Sequence, residues 1–332
     1  MDCFKGAAVA VTGAGGSIGS ELCRHIAMAG ARRLVLISLT ENGLYQIERK
    51  LRAEFPALEL AGVLGSVEDG ALMRHCLAGV HVVIHAAAHK HVPICEANPC
   101  AAIRNNGHGT WSVLEAASHV SAALFVLISS DKAVHPASIM GATKRLAEVI
   151  VRDHHDLKMR RVVVRFGNVL DSAGSVLPLW REQIAKGGPV TVTHPDCTRY
   201  FMSIQQACFL VGAVCGISAP HAATYVFNMG EPQRLIDMAR VLIAESGHEI
   251  EIKLTGLRPG EKLEEELHHG GLLESVLPGV FRVVDVMPTI DADQLALLNR
   301  LACSGFEDDA RNARALLWQL VGSHENVEAR SA

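Results

Sequence analysis

The stretch Val126–Glu148 reads VLISSDKAVHPASIMGATKRLAE. Its start completes an apolar run, Leu124 to Ile128, of the kind made by a parallel strand buried on both faces. Ser129, Ser130, Asp131 and Lys132 then turn the chain polar at once. After Pro136 a helical pattern carries Met140 and Lys144 four residues apart, on one helix face. Ligands of open α/β sheets sit beyond the carboxyl ends of the strands. A hydroxyl, an acid and two amines therefore converge where a substrate would lie. Taken alone, the stretch reads equally as a strand end, a solvated turn and a surface helix. The rest of the chain decides between the two.

Upstream, Ala7 to Val11 is a candidate buried strand, followed by Gly13, Ala14, Gly15, Gly16, Ser17, Ile18 and Gly19 and a helix from Ser20 to about Ala29. This is a GxxGxxG loop between strand and helix. Glycines permit the tight turn and let backbone N–H groups approach a pyrophosphate at a helix N-terminus. Leu34 to Ile37 is the second strand. An acid at its end would accept from the ribose diol of NAD, and a cation would suit the 2'-phosphate of NADP. Ser38 does neither, so NAD and NADP both remain open. Leu58 to Leu64 and His81 to Ala88 are further strands, the latter closing on the small residues Ala86 and Ala87. His85, His89, His91 and Cys95 tempt a metal reading, but histidines so close on a strand and turn rarely share an ion without a second ligand cluster; no metal is expected. Lys90 is a substrate cation or a solvated loop charge. Asn105 and Asn106 begin a helix, and Val162 to Phe166 is a sixth strand. Strands alternating with helices imply a doubly wound parallel sheet of the Rossmann type.

Beyond Asn168 glycines and prolines rise, and short strands, Pro189 to Thr193 and Tyr225 to Met229, interleave with helices. This reads as a smaller α/β substrate-binding domain closing over the sheet's carboxyl edge. Residues 1–168 form the dinucleotide-binding domain, with later segments returning to it. Residues 169–270 form the substrate domain, and 271–332 a helical tail packing on the body or on a partner subunit. Arg199, Arg258 and Lys262 are candidate clamps for a diphosphate, against the plainer alternative of surface salt bridges.

A chain of 332 residues that is 49% hydrophobic supports a sizeable core. Its net charge of -4 gives no electrostatic reason to expect nucleic acid or an anionic membrane. Nine scattered cysteines without a CxxC pair fit reduced thiols in the cytoplasm. Met1 to Gly16 reads as strand rather than signal peptide, and no apolar run reaches the length of a spanning helix. Membrane insertion is not expected.

Seven segments carry a resemblance: VTGAGGSIGSEL, HAAAHKHVPICEANP, NNGHGT, SSDKAVHPASIMGATKRLAE, RFGNVLDSAGSVLP, QIAKGGPVTVTHPDCTRYFMSI and GLRPGEKLEEEL. Together, from Val11 to Leu267, the chain resembles the UDP-N-acetylglucosamine 4,6-dehydratases of the extended short-chain dehydrogenase/reductase superfamily. The likeness is to their soluble short form in bacterial polysaccharide synthesis. It implies Ser130 as the active-site hydroxyl, Lys144 as the superfamily lysine, and Asp131 and Lys132 as the pair acting at C6 and C5. Met140 stands where most members have tyrosine; retaining members of the family also carry methionine there, and inverting ones tyrosine. The resemblance adds Ser66 and Val67 to the cofactor site. To the sugar-nucleotide site it adds Lys90, His91, Asn168, Val176, Arg199, Arg258 and Glu261.

The implied chemistry is transfer of a hydride from C4 to a tightly bound, recycled NAD or NADP, C5 deprotonation by Lys132, loss of the C6 hydroxyl assisted by Asp131, and hydride return to C6. Lys132 suits this role if burial or nearby Lys144 lowers its pKa. Met140 cannot take the O4 proton, since a thioether lacks basicity; Asp131, Lys144 or water must. The departures at Ser38, His89, Asp171 and Gln206 permit a changed cofactor preference or sugar. The implied partners are a UDP-sugar substrate and further copies of the chain, as a dimer or larger oligomer paired through helices flanking the sheet. An epimerase on the same scaffold, disfavoured by Met140 and by the Asp131–Lys132 pair, and a non-catalytic nucleotide binder are the competing readings.

Overall fold

The computed structural model describes residues 2–217, 221–268, 273–284 and 288–322. The first half alternates as expected: β1 (Ala8–Thr12), α1 (Ser17–Met28), β2 (Arg33–Ser38), α2 (Glu41–Glu54), β3 (Glu59–Leu64), α3 (Gly70–Cys76) and β4 (Val82–His85). Next come α4 (Val92–Ala97), α5 (Pro99–Ala102), a π-helical turn over Ile103–His108, α6 (Gly109–His119), β5 (Leu124–Ile128), α7 (Ile139–Asp153) and β6 (Arg160–Arg165). Every residue of β1 and β5 is buried, which is why both read as unbroken apolar runs rather than alternating ones.

The second half contains β7 (Asn168–Val169), α8 (Val176–Ala185), β8 (Val190–Val192), β9 (Thr198–Arg199), β10 (Phe201–Met202) and α9 (Ile204–Cys215). It continues through β11 (Ala222–Phe227), β12 (Gln233–Arg234), α10 (Leu235–Ser246), β13 (Ile252–Leu254), β14 (Leu273–Leu277), β15 (Val280–Val283), α11 (Ala292–Cys303) and α12 (Glu307–Leu320).

One nine-stranded sheet has the order β14-β15-β11-β6-β5-β4-β1-β2-β3. From β3 to β11 all neighbours are parallel, and β15 and β14 add an antiparallel edge. The winding direction reverses between β1 and β4, so the crevice at their carboxyl ends is the switch point where such sheets bind ligands. One apolar core, with Phe125, Met140 and Leu146, lies under α3, α6 and α7. The other, with Leu22, Ile26 and Val211, lies under α1 and α9.

Several sequence expectations are corrected. The strand expected over His81–Ala88 stops at His85, because the next two N–H groups, Ala86 and Ala87, turn to Thr12 O and Oγ1. The helix expected to begin at Asn105 begins at Pro99 and runs through those asparagines in its π-turn. The strand near Tyr225 belongs to the large sheet, beside β6, rather than to the smaller unit. The stretch from Gly270, expected to be helical, opens among its described residues as the β14–β15 hairpin. Its two helices follow, with Leu298 and Leu317 buried in the same core as Ile103 and Met140. The smaller unit keeps its own core of Leu177, Trp180, Val190, Val192 and Leu235. No helix among the described residues is long and apolar enough to cross a membrane.

Candidate active site

The crevice begins at the β1–α1 turn. Gly13 takes φ +68°, and a Cβ there would lie 2.7 Å from Ala87 N, so the turn needs glycine both for its backbone and for the approach of the β4 end. Gly16 caps α1 without a side-chain hydrogen bond. The first N–H groups of α1 are thus left for an anion. Gly15 packs on Gly43 and on Ser38 Oγ, and Gly19 crosses Gly13 O. Ser17 Oγ accepts from Ala173 N at 2.9 Å, tying the turn to the 171–175 loop, while Ile18 packs into the core beneath α1. Ser38 is buried, and its hydroxyl accepts from Thr40 N at 3.2 Å. Ser66 Oγ accepts from Glu68 N, and Val67 is buried against Gly109.

Behind the crevice, buried His85 lies between Thr12 Oγ1 at 2.7 Å and Thr110 Oγ1 at 3.0 Å. Thr110 gives its own proton to Asn106 O at 2.6 Å, so His85 Nε2 donates to Thr110 and Nδ1 accepts from Thr12. One neutral tautomer satisfies the chain. Burial, followed by the nearby Lys144, pushes the ring pKa down to about 3. An unfolded histidine protonates below about pH 6.5 while this ring stays neutral. The site therefore favours folding fully above pH 6.5 and loses that contribution as pH falls toward 3, at about 1.4 kcal/mol per unit. Urea unfolding at falling pH should show this slope, and His85→Asn should flatten it. Equal slopes in the two proteins would contradict the assignment.

The end of β5 is pinned residue by residue. Ile128 O accepts from Lys144 Nζ at 2.8 Å, Ser129 Oγ donates to Glu148 at 2.6 Å, and Ser130 Oγ donates to Asp131 Oδ1 at 2.8 Å. Helix α7 reaches this turn because Gly141 has no side chain: a Cβ there would lie 2.3 Å from Lys132 O. Glu148 is also gripped by Arg165 through Nε at 2.8 Å and Nη2 at 2.7 Å, all fully buried. Asn106, buried, holds both the N–H and the C=O of His89 and donates to Thr143 on α7 at 2.9 Å. Sequence reading took NNGHGT as a helix start and as a segment of the family resemblance, and gave its asparagines no role in the site. The clue available was an asparagine pair within an otherwise apolar helix.

Lys132 Nζ donates to Asp131 Oδ1 at 2.9 Å and to Asn168 Oδ1 at 3.3 Å, and lies 3.6 Å from Glu265 Oε1. Glu265 is 7% exposed and is a site residue that sequence reading missed within EKLEEEL. Lys132 suits a base if its pKa is lowered, and that condition is not met at rest. Burial alone would lower the pKa, but the Asp131 and Glu265 carboxylates outweigh that and hold the ammonium above its ordinary value. Burial instead lowers Lys144 to about 8, against the pull of Glu148. Met140 is 3% exposed in the core, one turn before Lys144, and offers no proton acceptor.

The expected diphosphate clamps are employed within the chain. Arg199 is buried and donates to the carbonyls of Thr198, Lys262 and Leu263, so it positions the 258–267 segment. Lys262 donates to Val134 O, and Arg258, exposed, pairs with Glu261 at 2.6 Å. Lys90 Nζ donates to Ala173 O at 2.6 Å, and Gly174 packs on the His91 ring. Val176 begins α8. Asp171 pairs with Arg181, and Gln206 completes a capping box with Ser203. The four residues of the tempting metal set do not converge. Among the described residues one metal-compatible group exists, Glu115, His154 and His155, at the opposite end of α7.

A family described as polysaccharide biosynthesis protein matches residues 9–276. The chain belongs to that family. Its relatives include the probable polysaccharide biosynthesis protein EpsC of Bacillus subtilis (strain 168), 43% identical over 99% of this chain and 55% of that one, so the chain spans only about half of EpsC's length. Family relatives with named activities point two ways. One is a UDP-glucose 4-epimerase of Rickettsia rickettsii, 31% identical over 77% of this chain and 76% of that one. Another is an inverting UDP-N-acetylglucosamine 4,6-dehydratase of Campylobacter jejuni, 28% identical over 79% of this chain and 77% of that one. The crystal structure of Pen from Bacillus thuringiensis superposes with a TM-score of 0.80, at 30% identity, over 85% of this chain and 90% of that one. The fold is thus the extended short-chain dehydrogenase/reductase fold.

Proposed function

We propose that this member of the polysaccharide biosynthesis protein family is a nucleotide-sugar 4,6-dehydratase. In this reading it converts UDP-N-acetylglucosamine, with retention at C5, to the 4-keto-6-deoxy sugar. The observation that carries the reading is the Asp131–Lys132 pair, 2.9 Å apart at the carboxyl end of β5, with the baseless Met140 beside Lys144. A simple 4-epimerase needs a group at the tyrosine position to take and return the O4 proton; an elimination needs an acid at C6 and a base at C5.

The glycine turn, the uncapped first turn of α1 and the alanine floor at Ala86 and Ala87 fit a nicotinamide dinucleotide. What such a group supplies when bound is reversible hydride acceptance, which makes C4 a ketone and later saturates C6. The chain's own residues do the rest. The ketone acidifies C5–H; Lys132, held at rest as the ammonium, first passes a proton to Asp131 along their 2.9 Å hydrogen bond and then takes the C5 proton as the free amine. Asp131 as the acid gives a proton to the departing C6 hydroxyl, and water forms. Lys132 then returns its proton to C5. Lys144, with its pKa lowered to about 8, is the side chain this reading assigns to receive the O4 proton in place of a tyrosine.

Incubation with UDP-N-acetylglucosamine in deuterated water, followed by proton NMR, tests this. The expected product is a 4-keto-6-deoxy sugar with deuterium at C5 and couplings of the retained configuration. A C4-epimer with no loss of water would overturn the reading in favour of the epimerase.

A further inference from the structure

We propose that Glu96 is a positioning residue through which the C-terminal helix α12 sets α7 in the site. Its carboxylate joins the first N–H of α7 to Arg314 of α12, so the docking of α12 fixes where α7 presents Lys144. The inference rests on the dehydratase reading, to which α7 contributes Lys144.

Helix α7 begins at Ile139, and its N-cap Ser138 accepts from Gly141 N at 3.1 Å. The Ile139 N–H, at the first helical position, has no partner within the helix ladder. Glu96 Oε1 accepts it at 2.6 Å. A bond to a carboxylate is of the stronger, charge-assisted kind, and an anion suits a helix N-terminus. The first turn of α7 has no acid of its own, so the charge comes from α4. The other oxygen, Oε2, accepts from Arg314 Nη2 at 3.1 Å. A further segment closes on the same carboxylate. Gly260 takes φ +81°, and a Cβ there would lie 2.8 Å from Ser138 Cβ and 3.1 Å from Glu96 Oε1.

Every residue of α7 from Ile139 to Val151 is buried, so its neighbours decide where it lies. Leu317 of α12 shares its core with Met140 and Leu146. At the far end of α7, Arg152 donates to Pro288 O, in the approach to α11. Arg104 of the π-turn donates to Ala302 O of α11 at 2.7 Å. The C-terminal pair therefore holds α7 at both ends, as well as the turn that carries Asn106, although both helices lie beyond the residues 9–276 that the family match covers. Apolar packing is non-directional. The bonds at Glu96 add direction by fixing α7 along its own axis. Lys144 reaches Ile128 O at 2.8 Å from the turn that follows, and a displacement of about 1 Å at a reacting group can cost about 10²-fold in rate. The Arg314 side chain is 38% exposed, and a pair so exposed adds little stability. Its contribution is geometric.

Arg314→Met and Glu96→Gln each break the tie to α12 and keep an acceptor for the Ile139 N–H. Each should lower kcat on UDP-N-acetylglucosamine about tenfold, with KM within about threefold, and the double variant should lose no more than either alone. Glu96→Ala, which breaks both ties, should lose about 10²-fold. All rates are taken per folded enzyme, from urea unfolding, with the dinucleotide bound. Single losses that multiply in the double variant would show that Arg314 does not act through Glu96. Losses that vanish once the folded fraction is counted would show a role in stability only. A raised KM with kcat kept would place the effect in the 258–262 turn. Each of these would overturn the proposal. A second measurement needs no turnover. Amide hydrogen exchange of the full chain with its dinucleotide should be about tenfold faster over the first turn of α7 in Glu96→Ala and Arg314→Met, with β1 and β5 unchanged. Unchanged exchange in α7 would also overturn the proposal. Inactivity of the wild type on UDP-N-acetylglucosamine, with that faster exchange present in the variants, would count against the dehydratase reading alone.

Discussion

Lys132→Ala is expected to stop dehydration and C5 deuterium exchange together, by about 10²- to 10⁴-fold, with the dinucleotide still bound. The proposed base is lost, while the glycine turn that fits the dinucleotide does not touch Lys132. Two buried carboxyls, Asp131 and Glu265, then face each other without their cation. One of them protonates rather than unfold the protein, since like charges in a buried site raise one pKa. Lys132→Arg is the sharper comparison. It keeps the charge but cannot give up its proton, so it should be as inactive as the alanine variant. Dehydration retained by Lys132→Arg would show that this side chain acts only as a charge. Proton NMR in deuterated water reads both steps in one sample.

The largest effect on stability is expected at Glu148. Its carboxylate takes two hydrogen bonds from Arg165 and one from Ser129, with all three residues buried. Glu148→Leu removes one partner of a buried ion pair and should cost about 3–5 kcal/mol in urea unfolding. It also frees Ser129, next to the turn that carries the proposed Asp131–Lys132 pair, so activity should fall further than the folded fraction accounts for. The double variant Glu148→Leu, Arg165→Met should recover part of the stability, because it removes both members of the closest buried pair, while buried Arg145, 3.7 Å from the Glu148 carboxylate, still loses that contact. A single-variant loss below about 1 kcal/mol would mean that water or another group replaces the carboxylate.

The centre of the sheet was legible because β1 and β5 are buried on both faces and so appear as unbroken apolar runs, followed by glycine and by serine. The Asp131–Lys132 pair was legible because it directly follows such a run. Arg199 was misjudged for a related reason. A sequence shows a cation but not whether nearby carbonyls have already claimed it, and here three have. The hairpin at 273–283 was missed because β14 is a largely exposed edge strand without a long apolar run.

By itself, then, the sequence determined the doubly wound sheet, the glycine turn and the acid–amine pair, since local spacing and strand periodicity encode each of them. Only the tertiary structure decided the charge state around that pair. Glu265 comes from a segment far along the chain, and Arg199 holds that segment in place. Whether Lys132 sits above or below its ordinary pKa depends on the balance between burial and those contacts, and burial and contact across such separations exist only once the chain has folded.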